Sequence, residues 1–195
     1  RTRYFTFADT VTTINYDKTK QGHGWIGLRF QLTPNGPAND FLIHVRLKDQ
    51  EAKIQQETIG IIGINLLHAC FNETNPKVIL NHLYDNLSRD NFEIDMVEVV
   101  GEDFDKIDNR LLSLTLVKEN MTNAVIFTPD GKNKYPSDIL HKKNILTLRG
   151  SFRPVTKVNI DMLTNGLEKF KKNKKVDVNN IQILIEITLS NLKSE

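Results

Sequence analysis

Two stretches, WIGLRFQL at residues 25–32 and FLIHVRLK at residues 41–48, alternate between apolar and other side chains and decide how the chain folds. In the first, Ile26, Leu28, Phe30 and Leu32 share one face, with Trp25, Gly27, Arg29 and Gln31 on the other. In the second, Phe41, Ile43, Val45 and Leu47 oppose Leu42, His44, Arg46 and Lys48. A two-residue period is that of a strand with one buried face. The intervening TPNGPAND, residues 33–40, is dense in turn formers, so the pattern predicts an antiparallel hairpin.

Downstream of the hairpin, Asp49 is placed to cap a helix running to about Phe71, with Glu51 in its first turn. The segment IGIIGINLLHACF, residues 59–71, is apolar nearly all round and predicts a helix buried against the sheet, with Gly60 and Gly63 allowing close approach. Asn75-Pro76 starts a second helix, with Ile79, Leu83 and Leu87 on its apolar face. A strand is expected over Phe92–Val100 and a helix over Asp105–Asn120, although LLSLTLV also alternates as a strand would. Further strands are expected at Ala124–Thr128, Asn144–Phe152 and Ile181–Leu189, with helices at PSDILHKK and Ile160–Lys172. The order predicts one globular α/β or α+β domain over residues 1–195: a mixed sheet with an antiparallel N-terminal hairpin, packed by helices.

The composition agrees, with 195 residues, 39% hydrophobic and 26% charged. A net charge of +2 disfavours a protein held on nucleic acid by its phosphates. No apolar run approaches the ~18–20 residues of a membrane span, and Arg1–Phe7 lacks the apolar core of a signal peptide, so a cytoplasmic location away from membranes is expected. Cys70 is the single cysteine, which rules out an intrachain disulfide or a multi-cysteine zinc site.

The polar face of the hairpin is the leading candidate site. Pairing of its strands gathers Arg29, Gln31, His44, Arg46 and Lys48 on one side, with Trp25 at an end. Arg149 and Arg153, in LTLRGSFRP, join them if the strand at residues 144–152 lies alongside. Arginine forks match phosphate oxygens in bidentate geometry, and a nearby ring can stack on a base. His23 in GHGW sits where glycines let a backbone approach a ligand, and it shares candidate acid–base or charge-stabilising roles with His44 and Lys48. Glu93 and Asp95 alternate onto one strand face and suit a divalent cation such as the Mg²⁺ of a nucleotide. Each feature also has a plain structural explanation: cations paired with covering carboxylates, a turn histidine, an acidic solvated edge. P-loop, dinucleotide-fold, zincin and serine-hydrolase signatures are absent.

At RTRYFTFADTV, GHGWIGLRFQ, FLIHVRLKD, QQETIGIIGINLLHACF, DNRLLSLTLV and LTLRGSFRPVT the chain resembles a family of uncharacterised bacterial proteins. Its members carry conflicting names, nicotinamide or nicotinate mononucleotide adenylyltransferase in some and TonB-dependent receptor in others. The first name implies an (H/T)-x-G-H motif and a distal S-x-(S/T)-x-x-R, and the second an exported outer-membrane barrel; this sequence carries neither signature. The resemblance implies a bacterial cytoplasmic fold belonging to a longer polypeptide, and it transfers no catalytic residue.

Two functions follow as expectations. The first is an enzyme domain that binds a phosphorylated, nucleotide-like small molecule and performs phosphoryl or nucleotidyl transfer. The second is a non-enzymatic docking domain whose basic face meets an acidic partner, a second copy, or a C-terminal domain outside this chain.

Overall fold

The computed structural model describes residues 2–193. The chain divides into two compact units, Arg1–Tyr135 and Pro136–Glu195.

The first unit is built on a four-stranded sheet of β1 (Phe5–Asp9), β2 (His23–Gln31), β3 (Ala38–Leu47) and β4 (Phe92–Val100), in that spatial order and antiparallel throughout. The hairpin forms as its alternation requires: Ile26, Leu28 and Phe30 pair across to Ile43, Phe41 and Asn39, and all six are buried. One face of the sheet is covered by α1 (Ala52–Asn72), α2 (Pro76–His82) and α3 (Asn109–Lys118), whose buried Ile62, Leu66, Ile79 and Leu112 join the strands in one core. The free edge of β4 is closed by side chains and loop: the Asn109 amide both donates to and accepts from Val99, Ile94 N donates to Met121 O, and Asn133 Nδ2 donates to Val97 O.

Several expectations shift by physical detail. Helix α1 starts at Ala52 with Glu51 as its N-cap, because the Asp49 carbonyl is taken by the Gln55 and Gln21 amides and its carboxylate accepts from Asn91. Nor is α1 buried all round: Ile64 is 69% exposed and His68 lies on the exposed side, the covered stripe being Thr58, Ile62, Leu66, Ala69 and Cys70. Gly63 does admit a close neighbour, the Phe7 ring, whereas Gly60 faces open space. The ambiguous LLSLTLV is helical within α3, which Asp108 caps by accepting from Arg110 N, while Glu102–Phe104 form a separate 3₁₀ turn. The Arg110 guanidinium, paired at 2.7 Å, holds the Asp108 carboxyl down at about 2. Burial pushes the Cys70 thiol up to about 12, so native protein should resist a thiol reagent that titrates the cysteine fully in denaturant; rapid native labelling would contradict this packing.

A short hairpin, β5 (Ile126–Phe127) and β6 (Asn133–Lys134), completes the first unit. The second unit holds α4 (Pro136–Leu140), β7 (Asn144–Arg149), α5 (Lys157–Lys171), a 3₁₀ turn at Val178–Asn180, β8 (Ile181–Glu186) and α6 (Leu189–Lys193). β7 and β8 are parallel and paired to each other, as a strand–helix–strand crossover requires. Thr156 and Asn159 form a capping box at the start of α5. No helix among the described residues is long and apolar enough to cross a membrane.

Candidate functional site

The open face of the four-stranded sheet carries the predicted polar residues, but the register divides them between two ends. At one end Arg29 lies opposite Asp40, and its guanidinium forks onto both carboxylate oxygens at 2.7 Å. That pair lowers the Asp40 carboxyl below its usual range. Gln31 is committed as well, accepting from Tyr4 N and donating to Gly36 O. At the other end, six residues or about 20 Å along β2, His23 lies opposite Arg46 and Trp25 opposite His44. Between the ends stand Gly27, Leu42 and Glu98, so no continuous basic stripe forms.

The His23 end is where side chains converge. A register shift between β3 and β4 lets the His44–Val45 step face Met96, Asp95 and Ile94, a β-bulge that turns Asp95 onto the same face as His44. His44 Nδ1 and Asp95 Oδ1 are 2.6 Å apart, with side chains 1% and 3% exposed. Asp95 Oδ2 is buried and has no hydrogen-bond partner. Tyr135 closes over the pair: its ring centroid is 3.8 Å from that of His44, with Trp25 meeting Tyr135 edge-on at 6.0 Å and His44 at 5.0 Å. His23 stands exposed at the rim, its ring 5.6 Å from His44 and 6.4 Å from Tyr135.

The fold places each of these groups by local means. The glycines around His23 make room for the chain itself: a Cβ at Gly24 would strike the backbone of Thr10 and Val11, and one at Gly22 would strike the buried Gln55 amide. Residues 10–12 accordingly run along β2, with Thr12 and His23 exchanging backbone hydrogen bonds. Tyr135 is delivered by the β5–β6 hairpin, which Asn133 anchors by donating to Asn109 O, Ser113 Oγ and Val97 O. No sequence signal singles out Tyr135; it is one aromatic in a loop whose role depends on a contact made far along the chain.

Other expected members are elsewhere or already engaged. Lys48 donates to the Arg89 carbonyl at 2.7 Å, outside the histidine cluster. Arg149 and Arg153 lie in the second unit; β7 has its own parallel partner and is not a strand of the four-stranded sheet, and Arg149 pairs with Glu186 at 2.7 Å. Glu93 accepts from Thr122 at 2.5 Å and faces Arg46 at 3.8 Å. Glu93 and Asp95 do share a face, yet only Asp95 Oδ2 is uncommitted, and among the described residues no three His, Cys, Asp or Glu side chains are grouped to hold a metal. The pair therefore fits Mg²⁺ poorly.

The electrostatics act on His23. His23 is less basic than a free imidazole, first because of partial burial, then because of the nearby His44; Asp95 opposes this weakly and Arg46 adds to it. The folded state then binds fewer protons than the unfolded chain below about pH 6.5, so His23 subtracts stability as pH falls through that value and is neutral to stability above it. His23→Gln should flatten the acid side of the stability–pH curve measured by urea unfolding. An unchanged slope would mean that the ring is as free as in the unfolded chain.

Tyr135 is the cover of the buried histidine, which is directly measurable. Diethyl pyrocarbonate should modify His23 readily and His44 slowly in the native protein, and Tyr135→Ala should make His44 react at a rate similar to His23. Protection of His44 that survives loss of the Tyr135 ring would show that something else shields it. No family model, curated protein or solved structure matches the chain.

Proposed function

We propose that the His23 end of the sheet is the acid–base site of an enzyme acting on a small phosphorylated, nucleotide-like ligand, with phosphoryl or nucleotidyl transfer as the reaction class. The observation that carries this reading is the buried His44–Asp95 pair with its unpartnered carboxylate oxygen, set beside a second, exposed histidine. A buried polar pair is poor evidence of stabilisation, because a well-packed apolar pair of similar volume often serves the fold as well or better. A buried oxygen without a donor is costlier still, and its natural complement is an N–H or O–H brought by a ligand or water.

The roles follow from position. Arg46 is 54% exposed and only loosely held by Glu93 at 3.8 Å, so it is the cation of this face free to turn to an anion, whereas Arg29 is committed to Asp40. Trp25 and Tyr135 offer ring faces and edges to a base. His23 and His44 move protons.

Trp25 is the only tryptophan, so its fluorescence reports on this site alone. Titration with mononucleotides should change the emission saturably. Arg46→Ala should weaken binding by about 1.5–3 kcal/mol, the worth of a charge-assisted contact, and Arg29→Ala at the far end should leave it unchanged. No saturable response to any nucleotide, or equal losses in both variants, would refute the assignment. The docking alternative places an acidic partner on the same basic face, where Arg46 is 54% exposed. It predicts that Arg46→Ala changes the mass measured by light scattering and that no nucleotide binds.

A further inference from the structure

Resting on that reading, we propose that the substrate is a small ribonucleotide phosphodiester, cleaved by attack of its own 2′-hydroxyl with His23 as base and His44 as acid. In-line displacement at phosphorus needs one group to take the proton of the entering oxygen and another, across the phosphate, to protonate the leaving oxygen. Two imidazoles from adjacent strands on one sheet face, with ring centroids 5.6 Å apart, are spaced to flank a phosphate. They are also unlike each other, as the two tasks require.

His23 is exposed and faces His44, Asp95, Arg46 and the ring of Tyr135. Partial burial, then the neighbouring His44 and Arg46 against the opposing Asp95, favour its neutral form, the form that accepts a proton. His44 has Nδ1 held by the Asp95 carboxylate at 2.6 Å, which fixes the ring and leaves Nε2 as the nitrogen that can serve a substrate. Arg46 stands opposite His23 in the register, placed to meet the charge that builds on the phosphoryl oxygens. The nucleophile then comes with the substrate: a ribose 2′-hydroxyl beside the phosphodiester reacts with the high effective concentration of an intramolecular group.

The step balances without another reactant. His23 removes the proton of the 2′-hydroxyl as the 2′-oxygen bonds to phosphorus. The bond from phosphorus to the 5′-oxygen breaks, and His44 Nε2 gives its proton to that oxygen. The products are a 2′,3′-cyclic phosphate and a 5′-hydroxyl, and exchange of protons with water restores both imidazoles. Because Tyr135 covers His44, which is 1% exposed, the substrate base takes the place of the Tyr135 ring against His44 and Trp25.

The test uses the full chain with a ribodinucleotide and its 2′-deoxy counterpart, following phosphorus NMR and Trp25 fluorescence in parallel. The ribodinucleotide should yield a 2′,3′-cyclic phosphate, with the deoxy compound bound but intact. His23→Gln and His44→Gln should each lower kcat by at least about 100-fold, and His23→Gln should leave affinity for the deoxy compound within a few-fold. The pH–rate profile should be bell-shaped, losing its acid limb in His23→Gln and its alkaline limb in His44→Gln. If His44→Gln fails to fold, Asp95→Asn keeps the shape and should lower kcat while displacing the alkaline limb. Binding of both dinucleotides with no cleavage of either would overturn this inference and leave the nucleotide-binding reading standing. Failure of both to bind would overturn both, and cleavage that persists in His23→Gln or acts equally on the deoxy compound would overturn the two-histidine step.

Discussion

His44→Ala should destabilise the first unit by about 3–5 kcal/mol at neutral pH, and Asp95→Ala by about 1–3 kcal/mol. The asymmetry comes from what each change leaves behind. Removing His44 strands a carboxylate 3% exposed, with one oxygen already unpartnered and the other now deprived of its donor. A lone buried carboxylate without a donor carries the full desolvation cost of its burial. Removing Asp95 instead leaves one unsatisfied ring nitrogen on the imidazole, a smaller cost. Urea unfolding of the two variants between pH 4.5 and 7.5 separates these cases. Equal losses, or a larger loss for Asp95→Ala at every pH, would show that the carboxylate is solvated and that no buried pair exists. The double variant His44→Phe, Asp95→Val sharpens the functional argument. If it recovers most of the lost stability, as apolar replacements of buried ion pairs often do, the pair is dispensable to the fold and is kept for the chemistry proposed here.

Much of this architecture is readable from local pattern. The alternation in residues 25–32 and 41–48 dictates the hairpin because a one-residue slip would put Arg29 and Arg46 in the core. The Asn75-Pro76 cap and the strand at Phe92–Val100 are likewise local signals, and both form as read. The candidate site was only half legible. His23, Trp25, His44 and Arg46 lie on strands whose register follows from the hairpin, so their grouping could be foreseen. Asp95 was visible as a carboxylate sharing a strand face with Glu93 but not as a partner of His44, since a bulge leaves no mark in a sequence otherwise of strand type. Tyr135 was invisible, because its place depends on Asn133 docking against β4 and α3. The separation of Arg149 from the sheet was equally hidden: strand pattern tells that a segment pairs, and says nothing of which strand it pairs with.

Phe41→Ala carries the other large effect, an expected loss of about 3–5 kcal/mol. Phe41 is wholly buried in β3, opposite Leu28 on one side and Val99 on the other, at the centre of the layer that α1, α2 and α3 cover. Its neighbours belong to three strands locked by their ladders, so they cannot collapse into the space a phenyl ring leaves, and the cavity cost adds to the lost transfer free energy. The second unit offers the contrast. None of its side chains from residue 136 to 191 is buried, and its parallel pair β7–β8 keeps Leu146 only partly covered. Leu146→Ala should therefore cost less than about 1.5 kcal/mol, a fraction of what full burial of a leucine is worth. Differential scanning calorimetry reads both at once: Phe41→Ala should lower the main transition, that of the first unit, while Leu146→Ala leaves it in place. A comparable shift of that transition by Leu146→Ala would mean that the two units unfold as one cooperative body. The His44–Asp95 site would then draw its rigidity from the whole chain rather than from the four-stranded sheet alone.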